Sequence, residues 1–139
     1  QVLSSAASDV YKRQDPWRAA MQTCDTETAL ASLEGDTSYL CHNDLTPDNL
    51  MTHGDSLVAI DWEYAAMGSR YFDVAIACEA LPSSERDIMV QQVFGDTLDN
   101  ELMMTGKQIA TLVTALWQSC FAVADAPRPA DWVTQNLGS

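Results

Sequence analysis

Pro47 lies inside the octapeptide His42-Asn43-Asp44-Leu45-Thr46-Pro47-Asp48-Asn49 and prevents a continuous helix through it, so this polar segment has to fold as a loop. The proline also restricts Thr46 to extended geometry, which makes the connection from Asp44 to Asn49 short and stiff. Leu50-Met51-Thr52-His53, Gly54-Asp55 and Leu57-Val58-Ala59-Ile60 then read as strand, turn and strand. A hairpin of that length returns Asp61 beside the loop from which the chain departed. Asp44, Asn49 and Asp61 are therefore expected at one edge of the fold.

Those three groups form a chemically coherent set. Metal-assisted phosphoryl transfer needs one carboxylate to accept the proton of an incoming hydroxyl, and a carboxamide with a second carboxylate to hold magnesium against nucleotide phosphates. Asp44 fits the first role, and Asn49 and Asp61 fit the second. Magnesium takes oxygen ligands and keeps several waters, so two protein ligands with phosphate oxygens suffice.

Cys41-His42-Asn43-Asp44-Leu45 with Asn49, Ile60-Asp61-Trp62-Glu63-Tyr64-Ala65 and Phe72-Asp73-Val74-Ala75 occur in that order. Together they resemble the superfamily of choline kinases, thiamine kinases and aminoglycoside phosphotransferases, relatives of the protein kinases. Trp62-Glu63 stands where protein kinases have Phe-Gly, which is the small-molecule-kinase version of the motif. The resemblance covers residues 38 to 81 most strongly. It implies an α+β fold of the protein-kinase-like C-terminal-lobe type, mostly helical with a short catalytic-loop hairpin. It also implies ATP as co-substrate, magnesium as cofactor, Asp44 as catalytic base, and Asn49 and Asp61 as the cofactor-binding residues.

Further residues receive expected roles beside that trio. His42 and Asn43 are expected to build the loop, and Asp73, twelve positions after Asp61, to accept hydrogen bonds from catalytic-loop amides, with a plain helix cap as the simpler alternative. Glu63, Trp62 and Tyr64 are the candidates for selecting the acceptor, with Glu63, which directly follows Trp62 and lies two positions after Asp61, equally placed to tune magnesium. An aromatic face attracts a quaternary ammonium by about 0.5–2 kcal/mol, and a carboxylate adds a charge contact. Core packing is the commoner fate of a residue such as Trp62. Asp48 reads as a solvated loop charge.

What such a kinase carries upstream is not visible. The six glycines never form a Gly-x-Gly pair, and Lys12 is the only lysine before Asp44. About forty residues precede the loop, too few for a lobe of five strands with their connections. The chain thus reads as the C-terminal lobe of a kinase whose N-terminal nucleotide-binding lobe is missing, and alone it is expected to turn over negligibly. Residues 1–14 read as a non-native, disordered leader resembling translated adapter sequence, leaving 15–139 as the lobe itself. A non-catalytic binding module is the alternative of another class, and an antibiotic phosphotransferase the alternative within the same chemistry.

Composition narrows the partners. Twenty acidic against seven basic residues give a net charge of −13, which disfavours nucleic acid and suits a cationic acceptor such as choline, thiamine or an aminoglycoside. No apolar run approaches the roughly 18 residues of a membrane span, so no membrane partner is expected and the cytoplasm is the default location. Cys24, Cys41, Cys78 and Cys120 are scattered, without a Cys-x-x-Cys unit, as buried reduced thiols would be. With only two histidines besides, a zinc site is disfavoured.

Elsewhere the pattern is helical. Asp15-Pro16 reads as a cap followed by proline at the first helical position, and a second short helix is expected from Thr26. A strand over Tyr39–Cys41 delivers His42 to the loop. Helices are expected over about 70–81, after a cap at Ser84, and over 97–124 with a break near Gly106, the apolar positions of the last packing as core.

Overall fold

A computed structural model of the chain describes residues 16–19, 21, 26–121 and 128–136. The expected leader and the cap at Asp15 lie outside these residues, as does Cys24. Helical residues 16–19 and 21 form α1, followed by α2 (Thr26–Leu33) and a single 3-10 turn, Glu34–Asp36. Strand β1 (Tyr39–Cys41) pairs antiparallel with β4 (Ala66–Gly68), Cys41 opposite Ala66. Between them lies the hairpin of β2 (Leu50–His53) and β3 (Ser56–Ala59), with Leu50 opposite Ala59. Gly54, at φ 61, supplies the positive φ that so tight a turn demands. Helices α3 (Arg70–Glu79), α4 (Ser83–Phe94), α5 (Asn100–Cys120) and α6 (Pro129–Asn136) complete the order. The fold is α+β and mostly helical, as the motifs implied.

The described residues divide into two compact units, 29–110 and the terminal segments on either side of it, 16–28 and 111–136 where described. The first unit is built on a core of Leu33, Tyr71, Val74, Ala75, Phe94, Met103, Ile109 and their neighbours. Tyr71 and Phe94 stack at its centre with ring centroids 4.3 Å apart. In the second unit Trp17, Leu112, Ala115 and Trp132 pack together, and the Trp17 indole donates to Ser119 Oγ at 2.8 Å. No helix among the described residues is long and apolar enough to cross a membrane.

Three helix boundaries differ from expectation. Helix α3 stops at Glu79 rather than Leu81, since Pro82 disfavours helical geometry at the residue before it. Helix α4 begins at Ser83 with Pro82 as its cap residue, whose carbonyl accepts from Glu85 and Arg86, so Ser84 is an interior residue and not the cap. Helix α5 runs unbroken through Gly106, capped by Asp99, whose Oδ1 accepts from the amides of Glu101 and Leu102. Val113 and Trp117, expected in the core, are exposed, and Cys120 is only half-buried.

Gly106 is a contact point and not a hinge. A Cβ there would stand 2.6 Å from the Tyr71 carbonyl oxygen and 2.8 Å from its carbon. Those are backbone atoms of α3 that cannot swing aside. Gly106→Ala should therefore destabilise by about 1–3 kcal/mol, despite a gain in helix propensity of about 1 kcal/mol. Urea unfolding measures this, and a variant as stable as the parent would show that the α3–α5 spacing is not fixed by this glycine.

Candidate active site

The loop after β1 opens with the left-handed Asn43 at φ 64 and continues to an extended Thr46, ψ 162, before the 3-10 turn Pro47–Asn49. Within it the amide nitrogen of Asn49 donates to both the backbone oxygen and Oδ2 of Asp44, each at 2.8 Å. Both partners are acceptors only, so the orientation of the Asn49 amide is fixed: nitrogen toward Asp44, Oδ1 away from it. Asp44 keeps its second carboxylate oxygen for another donor. One interaction thus prepares two atoms, a carboxylate oxygen suited to take a proton and an amide oxygen suited to a hard cation.

Asp61 follows the second strand of the hairpin. The backbone amide of Ile60 donates to the Asn49 carbonyl at 2.9 Å, and the Ile60 carbonyl accepts from His42 Nε2 at 2.7 Å. Asp61 is the next residue, with φ 59 and ψ 62, a left-handed conformation that Asp tolerates at a cost of about 1–3 kcal/mol. Asn49 and Asp61 are therefore joined to the same end of the hairpin through one shared residue, Ile60. Among the described residues no cluster of three His, Cys, Asp or Glu forms. The Asn49 amide oxygen and the Asp61 carboxylate are hard oxygen donors, the ligand type that magnesium takes and that suits zinc less well than thiolate or imidazole.

His42 and Asp73 hold this arrangement. The imidazole is 1% exposed, its Nε2 carries the proton because it faces a carbonyl, and Nδ1 is buried without a hydrogen-bond partner. A ring so enclosed braces the loop. The Asp73 carboxylate accepts from the His42 amide at 2.7 Å and the Asn43 amide at 2.8 Å. The cap of α3 is Ser69, whose hydroxyl accepts from the Tyr71 amide, so the simpler alternative for Asp73 does not apply. Asn43 donates its side-chain amide to the Tyr64 carbonyl at 2.9 Å, tying the loop to the 3-10 turn Trp62–Tyr64.

That turn carries the acceptor candidates, all exposed. Trp62 is not core: it is 49% exposed, its ring lies 4.7 Å from the His42 ring, and its indole nitrogen donates to the Ala59 carbonyl. The Tyr64 phenol is raised above its ordinary pKa, first by the charge of Glu63 and its hydrogen bond, and further by Asp44 and Asp61. Trp62, Glu63 and Tyr64 stand on the surface, and of these Tyr64 feels the charges of Asp44 and Asp61. Asp48 is exposed. Two residues beside the loop were not anticipated as part of the site: Asp36 and Arg70, whose guanidinium the Asp36 carboxylate binds at 2.8 Å.

Comparison with known proteins agrees with this architecture. The family model of the phosphotransferase enzymes matches residues 3–104. Protein LicA of Haemophilus influenzae (strain ATCC 51907 / DSM 11121 / KW20 / Rd) is 36% identical over 72 residues, 50% of this chain and 26% of that protein. A LicA homolog of Metamycoplasma hominis is 31% identical over 83 residues, 59% of this chain and 33% of that protein. Among solved structures, LicA in complex with AMP superposes with a TM-score of 0.57 at 18% identity, covering 90% of this chain and 53% of that one. The choline kinase LicA from Streptococcus pneumoniae gives 0.56 at 17% identity, covering 91% and 53%. The chain spans about half the length of these solved relatives and a third or less of the curated ones. With a family match over most of its residues and the same fold as these structures, the chain belongs to the phosphotransferase enzyme family.

Proposed function

We propose that this chain supplies the acceptor-activating and magnesium-holding part of an ATP-dependent kinase that phosphorylates a hydroxyl of a small cationic molecule, choline before thiamine or an aminoglycoside. The observation that carries the reading is the Asp44–Asn49 pairing, which leaves one carboxylate oxygen and one amide oxygen free in the same loop. Asn49 Oδ1 and the Asp61 carboxylate would hold magnesium, which when bound neutralises charge on the nucleotide phosphates. Asp44 accepts the proton of the acceptor hydroxyl as its oxygen bonds to the γ-phosphorus and ADP departs. Trp62 and Tyr64 offer aromatic faces and Glu63 a carboxylate to the cationic group. The solved relative named choline kinase supports choline as first choice.

A second reading concerns these 139 residues taken alone. They contain no Gly-x-Gly loop and no lysine before Asp44 other than Lys12, so the groups that immobilise nucleotide phosphates in kinases have no counterpart. The chain alone should bind Mg–ATP weakly and turn over negligibly. Acceptor-dependent ADP release, compared for choline, thiamine and an aminoglycoside, tests both readings; a rate of about 1–100 per second from the 139 residues would overturn the second.

The metal assignment has its own test. Mn2+ in place of Mg2+, added with ADP, should broaden the NMR resonances of Asn49 and Asp61, and Asp61→Asn should abolish the effect at Asn49. Broadening elsewhere with Asn49 untouched would remove these residues from the metal site.

A further inference from the structure

Two carboxylates hold the first turn of α3, and they do so from opposite ends of β1. Before the strand, the Asp36 carboxylate accepts from the Arg70 backbone amide at 2.9 Å, from Ser69 Oγ at 3.4 Å, and from the Arg70 guanidinium through Nη2 at 2.8 Å and Nε at 3.3 Å. After the strand, Asp73, one turn further along the helix, accepts from the amides of His42 and Asn43. Strand β1 is only three residues long and pairs with three residues of β4, so its own ladder determines its position weakly. The two carboxylates close a circuit around it: Asp36 to Arg70, one helical turn to Asp73, then His42 and back along β1.

The Arg70 side chain adds a third fixing point. Its guanidinium carbon lies 3.9 Å from the Tyr39 ring centroid and 5.1 Å from that of Phe94, between the start of β1 and the end of α4. A planar fork that both pairs with a carboxylate and lies against aromatic rings is available to arginine and not to lysine. Asp36 stands at the N-terminus of α3, where the helix favours negative charge, and its side chain is 11% exposed against 25% for Arg70. Cys41, at the end of β1, registers both acids: its thiol is pushed up to about 11, first by burial and then by the charges of Asp73 and Asp36.

We propose that Asp36 and Arg70 are positioning residues for the catalytic loop, fixing the first turn of α3 so that the Asp73 carboxylate meets the His42 and Asn43 amides immediately before Asp44. The meaning of this for catalysis rests on the reading of Asp44 as the base, whereas the geometry does not. Proton–nitrogen NMR of the 139-residue chain tests it directly. In Asp36→Ala the His42 and Asn43 amide protons should move upfield, as they lose a charged acceptor, and exchange about tenfold faster or more. The α5 amides of Met103 and Ala110 should keep their shifts. A role in general stability alone would speed exchange everywhere and leave the native shifts at His42 and Asn43 in place, and that result overturns the proposal. Should Asp36→Ala not fold, Arg70→Gln is read the same way, while Arg70→Lys should restore the shifts only in part. Unchanged His42 and Asn43 resonances in Arg70→Gln likewise overturn it. If these amides move while Asp44→Asn keeps full turnover, the clamp stands and the assignment of the base falls, so the two failures are separable.

Discussion

Asp44→Asn should lower turnover by about 10²–10⁴-fold with little change in nucleotide affinity, in any preparation of the protein that phosphorylates an acceptor. The substitution is conservative in shape, because an asparagine oxygen at position 44 can still accept from the Asn49 amide nitrogen, as Asp44 Oδ2 does at 2.8 Å. What changes is the other terminal atom. A carboxylate oxygen able to take a proton becomes an NH2 group that can only donate, so the incoming hydroxyl loses both its base and its hydrogen-bond acceptor. Asp61→Asn should behave differently, weakening Mg–ATP binding together with kcat, since its role runs through the metal. Steady-state kcat and KM for ATP, measured on both variants, separate the roles. Turnover near the parent value in Asp44→Asn would refute it as the base, and equal losses of nucleotide affinity would move Asp44 into the metal site.

The contrast between what was readable in the sequence and what was not follows the distance over which each cause acts. The loop, the hairpin and the return of Ile60 to Asn49 depend on neighbours: Pro47 sets Thr46, Gly54 sets the turn, and the hairpin length brings Ile60 back to the Asn49 carbonyl. Gly106 looked like a helix break because its isolated propensity is poor, but the reason for a glycine there is the Tyr71 carbonyl, on another helix. Strand β4 was not anticipated because three residues carry too little periodicity, and only pairing with β1 defines it. The Asp36–Arg70 pair was invisible for the same reason, its members being 34 positions apart. Trp62 and Trp117 show a different limit, since hydrophobic residue type favours burial without requiring it, and both are about half exposed or more. Length and charge pointed to no fold at all; the order of short polar motifs did.

Asp73→Ala should cost about 3–5 kcal/mol of folding stability, the largest loss expected from any single polar side chain in the first unit. Two backbone amides, of His42 and Asn43, lose a charged acceptor together, and hydrogen bonds to charged groups are worth about 1.5–3 kcal/mol each. The amides are part-buried, so water replaces the carboxylate incompletely. Asn43 is moreover left-handed at φ 64, and removing its anchor lets that residue relax and carry Asp44 with it. For a domain whose whole stability is about 5–15 kcal/mol, a loss of this size brings the folded state close to its limit, so Asp73→Asn is the working variant. One amide oxygen can serve one of the two donors, and its cost should fall to about 1–3 kcal/mol. Asp48→Asn, an exposed charge on the same loop, is the control and should stay within about 0.5 kcal/mol of the parent. Urea unfolding at constant m-value supplies all three numbers. If Asp73→Asn proved as innocuous as Asp48→Asn, the two short hydrogen bonds to the loop would contribute nothing net, and the order of the loop would have to come from the His42 bond to the Ile60 carbonyl instead.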